Sequence, residues 1–339
     1  MIPAPSAEAR DAARARLAGL AIPAGALGRL GDLAVWWSAV RGECPAGPPS
    51  QVRAVVFAGD HGVAAHGVSA YPATVTPAMV RAFARGVAGV SVLARQHEVH
   101  LRVLDLSVAV DLEDLGPEVG AYKVRAGTEP IHLRDAMTAD QTHQALDAGA
   151  RIAAEEITAG ADLLIAGDMG IGDTTVAAAL VAATLGLPGP EVTGRGTGID
   201  DDTLEKKTDV IATALSRAGA RVVDPVDRLT ALGGPDIAAQ VGFLSAAAQH
   251  GVPVLLDGLV SCTAAAIAER MTPGVTPWLA AGHRSTERGQ WRVLDKLGQR
   301  PLLDLGMRLG EGSGAVAAVP LVRSAALLLA ETARLDEVL

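Results

Sequence analysis

Aromatic residues make up only 3% of this 339-residue sequence. Ala, Val and Leu must therefore fill the core, and so few rings argue against nucleic-acid binding by base stacking. Positive charge is also short: 29 Lys and Arg stand against 38 Asp and Glu, a net charge of −9. That argues against a basic nucleic-acid footprint, while leaving room for a locally positive pocket that takes a small anion. Cysteine occurs twice, as Cys44 and Cys262. Two such distant thiols make neither a disulfide framework nor a Cys-x-x-Cys metal site, and they fit a reducing, cytoplasmic compartment. No uninterrupted apolar run of about 18 residues appears, so no membrane span is expected. Asp257 interrupts the run at 252–268 and Arg323 the one at 315–330. The first residues carry Glu8, Arg10, Asp11, Arg14 and Arg16 with no apolar run behind them, unlike a secretory signal.

Several chemical signatures are missing as well. There is no Gly-Lys-Ser/Thr of a Walker A loop and no G-x-G-x-x-G. No His-x-x-x-His or His/Cys cluster supports a metal, and no Gly-x-Ser-x-Gly elbow supports Ser-His-Asp hydrolysis. No metal and no cofactor are expected.

What the sequence does have is an alternation of strand, glycine turn and helix. Residues 6–18 and a stretch from Leu27 to Trp37 read as helices. Val52–Ala58 is a strand of buried type, 63–77 a loop, 78–95 a helix and Leu101–Leu106 a strand. Residues 111–135 are irregular, and 139–159 are helical. Leu163–Ala166 is a strand, followed by the turn Gly167–Asp173 and an Ala-rich helix from Thr174. Later come helices at 202–217, 236–250 and 260–270, strands at Val252–Leu256 and Val275–Leu279, and a strongly apolar helix near 315–334. This pattern predicts an α/β fold, a parallel Rossmann-like sheet flanked by helices. The helices at both chain ends fall outside the alternation and predict a small helical subdomain, 1–48 plus 315–339, beside a large α/β domain, 49–314.

The polar residues fall at strand ends: Asp60-His61, Asp105, Asp168, Asp257 and His283-Arg284. In a parallel sheet these positions share the edge where ligands bind. The turn containing Gly170, Gly172 and Asp173, opening a helix at Thr174 and Thr175, suits an anion, because a helix's first N–H groups are free. A second turn, Gly194–Gly198, includes Gly196 and Thr197 and is followed by Lys206 and Lys207, where a lysine can reach a phosphate. Glu311, between Gly310 and Gly312, is a carboxylate on a closely approaching backbone and a candidate base. Tyr71, Met79 and Leu309 are candidates for an apolar wall, Met79 being able to adapt its shape.

These motifs together resemble the nicotinate-nucleotide–dimethylbenzimidazole phosphoribosyltransferase family, over almost the whole chain. The resemblance rests on FAGDHGVAAHGVSAYP at 57–72, GDMGIGDTT at 167–175, GRGTGIDD at 194–201, GGPDIAA at 233–239, DGLVS at 257–261, AGHRSTE at 281–287 and LGEGSGA at 309–315. It implies transfer of phosphoribose from nicotinate mononucleotide to 5,6-dimethylbenzimidazole, with inversion at the anomeric carbon, in a homodimer without a metal. It implies that Glu311 is the catalytic base, Asp168 a second carboxylate and Lys207 the phosphate contact, with Asp257 and Ser261 in a further site motif. The chain departs from the usual family pattern at Asp168, where Glu is common, and at Asp173, where Asn is common. It also lacks a Gln near Pro77-Ala78-Met79, and reads Pro23-Ala24-Gly25-Ala26 where Pro-Pro-Gly-Ser is usual. Two other readings are a related transferase using a phenol or purine acceptor, and a non-catalytic nucleotide-binding module.

Overall fold

The computed structural model describes residues 2–339. Five strands form one sheet: β1 Val52–Gly59, β2 His100–Ser107, β3 Leu163–Met169, β4 Val254–Leu256 and β5 Leu279–Ala281. Their spatial order is β2-β1-β3-β4-β5 and every pairing is parallel. β1 and β3 are apolar and almost wholly buried, as strands covered by helices on both faces must be. The helices, in chain order, are α1 Ala7–Ala18, α2 Arg29–Arg41, α3 Val75–Ala84, α4 Gly89–Gln96, α5 Ala139–Thr158 and α6 Asp173–Leu185. Then follow α7 Gly189–Val192, α8 Asp201–Ala218, α9 Pro225–Leu232, α10 Pro235–Gln249, α11 Leu259–Met271, α12 Arg288–Leu297, α13 Ser313–Glu331 and α14 Leu335–Val338.

The strand order places the site. From β1 the chain first adds β2 on one side, then crosses to add β3 on the other. The two crossovers diverge between β1 and β3, the kind of point at the carboxyl edge of a parallel sheet beside which ligands bind. Phe57 of β1 lies opposite Asp168 of β3, and a cleft lies on the β3 side of this pair, with Asp168 in its lining.

Several expected elements differ. The helix expected at 78–95 is two helices, α3 and α4, divided at Gly86, whose φ of 71° leaves the helical region. α3 starts at Val75, inside the expected loop; Pro77 is tolerated because a first turn has no partner for its missing N–H. The strand expected at Val275–Leu279 begins only at Leu279. Thr276–Trp278 is instead a turn of 3₁₀ helix containing Pro277, which cannot donate to a ladder. Four helices were not foreseen: α7, α9, α12 and α14. α9 carries a plain start signal: Asp224 caps it, accepting from the N–H groups of Val226 and Asp227, with Pro225 at the first position. α12 is amphipathic, burying Val293 and Leu294.

The chain ends meet. α1 packs on α2 and α13, and α2 packs on α13. The Arg16 guanidinium donates to the carbonyls of Leu329 and Ala330 at 2.6 and 2.7 Å, and the Leu335 N–H donates to Gly19 O at 2.9 Å. α13 also corrects the reading of its apolar run. Arg323 does not interrupt it: Ser313–Glu331 is one helix of 19 residues with a mean hydropathy of 1.7, long and apolar enough to cross a membrane. Here it buries Val316, Val319, Val322 and Leu329 in the molecule. Arg323 turns inward, donating to Pro49 O at 3.1 Å and His97 O at 2.8 Å. The other stretch of comparable length and apolarity, Val75–Gln96, is the one divided at Gly86.

Candidate active site

The cleft opens at the carboxyl ends of β3, β4 and β5. It brings together most of the residues singled out in the sequence: Asp168, Gly170, Gly172, Asp173, Thr174, Gly196, Thr197, Lys207, Asp257, Ser261, Leu309 and Gly310 all line it. Glu311, Thr175, Tyr71 and Met79 do not. Thr175 is buried within α6. Tyr71 is 51% exposed on the loop ahead of α3, and Met79 packs from α3 against the core. Val68, Ile171 and Val260 supply apolar wall instead, together with Leu309.

The expected edge also divides. Asp168, Asp257 and His283 face the cleft. Asp60 and Asp105 are buried elsewhere: Asp60 accepts the Ala109 N–H at 2.9 Å, and Asp105 pairs with Lys123 at 2.9 Å. Arg284 turns away onto the Trp291 ring, 4.1 Å from its centroid.

Lys207 comes from α8 and is 1% exposed. Its Nζ donates to Thr174 Oγ1 at 2.9 Å and to Gly194 O at 3.1 Å, so it ties the two glycine turns together. Burial lowers its pKa, against the pull of the Glu287 and Asp173 carboxylates. Its neighbour Lys206 points the other way, toward Gly67. Two of the N–H groups expected to be free in these turns are already engaged. Thr174 N donates to Asp173 Oδ1 at 2.5 Å, and Gly196 N to Glu287 Oε1 at 2.7 Å. An incoming anion therefore meets two resident carboxylates.

Asp168 is buried, with Oδ1 accepting from Gln240 Nε2 at 2.7 Å and Oδ2 unpartnered. Burial holds its pKa well above the usual carboxylate range, reinforced by the nearby charges of Asp236 and Asp173. Burial likewise pushes Asp173 up to about 6, although His61, the Thr174 N–H and Lys207 oppose it. Behind the turn, His61 Nε2 lies 3.1 Å from Asp236 Oδ2. Burial disfavours its imidazolium, yet Asp236, with Asp173 and Asp60, raises its pKa overall.

Asp173 has a measurable consequence for stability. A carboxyl with a folded pKa near 6 binds its proton more tightly than in the unfolded chain, where the ordinary value is 3.8. The resulting contribution is fully present below about pH 4 and lost as pH rises through about 6. Asp173→Asn removes this dependence while keeping an oxygen for the Thr174 N–H. At pH 7 the variant should be more stable by on the order of 1–3 kcal/mol, with a flatter profile from pH 4 to 6. Denaturant unfolding at pH 4.5 and 7 measures this; equal or lower stability at pH 7 would refute it.

Glu311 sits just beyond the cleft's rim, 4% exposed, on a run of left-handed residues: φ is 75° at Gly310, 65° at Glu311 and 86° at Gly312. A non-glycine residue in this region needs support from its surroundings. Its backbone N–H donates to Asp168 O at 3.1 Å, and its Oε2 accepts the Val90 N–H of α4 at 3.0 Å. Gly167 makes that docking possible, since a Cβ there would lie 2.5 Å from Glu311 O. Asp257 fixes the other side of the loop: it accepts from the N–H groups of Gly312, Gly314 and Ala315 at 3.1, 2.8 and 3.1 Å, capping α13. Ser261 in turn accepts the Asp257 N–H at 2.8 Å. Burial, then the Asp257 charge, raises the Glu311 pKa against the Val90 bond. A carboxylate so placed is a stronger base than a solvated one. Among the described residues no group of three or more His, Cys, Asp or Glu is arranged to hold a metal ion.

A phosphoribosyltransferase family model matches residues 2–338. The chain belongs to this family. It is 49% identical over 336 residues to the nicotinate-nucleotide–dimethylbenzimidazole phosphoribosyltransferase of Mycobacterium marinum, covering 99% of this chain and 93% of that one. The Mycobacterium avium protein of the same name is 51% identical over 329 residues, 97% and 94% of the two chains. Among solved structures, CobT from Thermus thermophilus superposes with a TM-score of 0.93 at 42% identity, covering 98% of each chain. The parallel α/β architecture is thus a phosphoribosyltransferase fold. Within this phosphoribosyltransferase the sequence reading missed Gln240, Asp236 and Glu287 as site residues. Each lies inside a motif it had quoted or on an adjoining helix; only the fold turns their side chains toward Asp168, His61 and Gly196.

Proposed function

We propose that this chain transfers phosphoribose from nicotinate mononucleotide to 5,6-dimethylbenzimidazole, giving α-ribazole 5′-phosphate and nicotinate. The observation that carries the proposal is the docking of Glu311 on Asp168 O, at the rim of a cleft that Lys207 lines. The names of the relatives identify the substrates. Lys207, with the turns at Gly170–Thr174 and Gly194–Thr197, takes the phosphate. Leaving nicotinate takes the bonding electron pair and positive charge grows on the ribose, which suits a cleft lined by carboxylates. Glu311 removes the proton from the acceptor ring nitrogen as the new bond to the anomeric carbon forms, and attack from the opposite face inverts β to α. Asp168 positions Glu311 through its backbone carbonyl and offers its unpartnered Oδ2 inside the site. Asp257 and Ser261 hold the Glu311 loop in shape. Incubation with nicotinate mononucleotide and several benzimidazoles, with products identified by mass, tests the proposal. A phenol or purine acceptor would appear in the same assay, and a non-catalytic module would release no nicotinate.

The apolar wall of Val68, Ile171, Val260 and Leu309 predicts modest acceptor discrimination, because a methyl group in such a slot changes affinity by only about 1–3 kcal/mol. Benzimidazole and 5,6-dimethylbenzimidazole should agree within roughly 200-fold in kcat/KM when competed in one tube. A preference above about 10⁴ would require a buried polar contact to the base.

The same reading carries four further proposals. The chain works as a homodimer in the cytoplasm, which light scattering and fractionation would check; the two free cysteines agree with a reducing compartment. Neither nucleic acid nor a membrane is a partner, in keeping with the net charge of −9 and the packed α13. No cofactor takes part. Residues 1–48 and 315–339 form a small helical unit beside a large unit at 49–314; the packing of α1, α2 and α13 supports this, although α13 also contacts α4 and β3.

A further inference from the structure

Glu287 is a cleft carboxylate to which the proposed reaction gives no task. It stands at the N-terminal boundary of α12, and its side chain makes no capping bond there. The Glu287 N–H donates to Ser285 Oγ at 3.2 Å, a short turn that directs the side chain into the cleft. Oε1 accepts the Gly196 N–H at 2.7 Å. Oε2 is buried and has no partner among the described residues, and the residue is only 5% exposed. A buried carboxylate oxygen without a partner is costly, so such an oxygen calls for a donor from outside the chain.

The chemistry of that donor is narrow. Glu287 cannot serve the phosphate, whose charge it repels. Lys207 Nζ bonds to Thr174 and Gly194 and makes no bond to Oε2, so it does not supply the missing bond. A hydroxyl fits, because it offers one hydrogen to an anionic acceptor and adds no charge. The glycine turn that Glu287 holds is the one assigned to the phosphate, and in a nucleotide the hydroxyls nearest the phosphate are those of the ribose.

We propose that Glu287 reads the ribose of the nucleotide substrate: Oε1 fixes the Gly194–Gly198 turn while Oε2 accepts a hydrogen bond from the 2′- or 3′-hydroxyl. The inference rests on the proposed use of nicotinate mononucleotide and adds a determinant of sugar specificity to it. Glu287 acts on binding and orientation and exchanges no proton with the reacting atoms.

The test is a cycle over protein and ligand. Glu287→Gln is nearly isosteric, and its amide oxygen can still accept the Gly196 N–H. Dissociation constants for nicotinate mononucleotide and for its 2′-deoxy and 3′-deoxy analogues are measured by calorimetry, on wild type and variant, beside turnover of all three. The variant should lose roughly 10–150-fold in affinity for the ribonucleotide, the value of a hydrogen bond to a charged group. It should lose less than about 3-fold for the deoxy analogue that lacks the bonded hydroxyl, since that bond is already gone. Comparing the variant with wild type for each ligand cancels the intrinsic lability of a deoxy glycosidic bond. An equal loss on all three ligands, or none on any, overturns the proposal and leaves Glu287 as a support for the Gly196 turn. Glu287→Ala repeats the cycle and must give the same inequality. Calorimetry reports on Glu287 even if nicotinate is never released, so failure of the transferase reading shows separately, as absent turnover by wild type.

Discussion

Glu311→Gln is expected to lower turnover by roughly 10²–10⁴-fold, the range that a positioned general base contributes. The substitution keeps the shape of the side chain and an oxygen for the Val90 N–H. The backbone bond to Asp168 O does not involve the side chain, and neither does the Asp257 cap on α13. The loop should therefore survive, and affinity for nicotinate mononucleotide should change little. Only the acceptor for the benzimidazole proton is lost. Burial and Asp257 raise the Glu311 pKa, so the wild-type rate should climb with pH through a value above the ordinary 4.5 as the carboxylate forms. That limb should vanish from the residual rate of the variant. Single-turnover rates with a calorimetric check on nucleotide binding would decide it. A variant that turns over at near the wild-type rate would remove Glu311 as the base.

The sequence disclosed the sheet and the two glycine turns because their signals are local. Val52–Ala58 and Leu163–Ala166 are apolar, flanked by turn residues, and became β1 and β3, although β3 runs on through Gly167, Asp168 and Met169, which read as turn. Glu311 stood out for the same reason, a charged residue between glycines ahead of an apolar helix. What stayed hidden depends on side chains that meet only in the fold. Gln240 lies well inside α10, and nothing around it in sequence says that it reaches Asp168. Lys206 and Lys207 are indistinguishable by composition; α8 turns one toward Thr174 and the other toward Gly67. Tyr71 and Met79 have the right chemistry for an apolar slot, but α3 faces Met79 to the core and leaves Tyr71 outside. Asp257 fell on the expected edge, yet its carboxylate is spent on the backbone of the Glu311 loop rather than left open to a ligand.

Lys207→Met should weaken binding of nicotinate mononucleotide by about 1.5–3 kcal/mol, the worth of a hydrogen bond to a charged group. Met is the better probe than Ala because Lys207 is fully enclosed, and a truncated side chain would add the cost of a cavity. Two of the three ammonium hydrogens are taken by Thr174 and Gly194, so one remains for a phosphate oxygen. Removing the charge acts twice. It deletes that contact, and it leaves Asp173 and Glu287, whose charges Lys207 offsets, facing the phosphate alone. Part of the second cost should be recovered in Lys207→Met combined with Asp173→Asn, because one of the two opposing carboxylates is then neutral. Nicotinate riboside, which has no phosphate, separates the two effects in the single variant: its binding should fall far less than that of the nucleotide. Equal losses for riboside and nucleotide would mean that Lys207 only braces the two turns, and the phosphate would have to be sought elsewhere in the cleft.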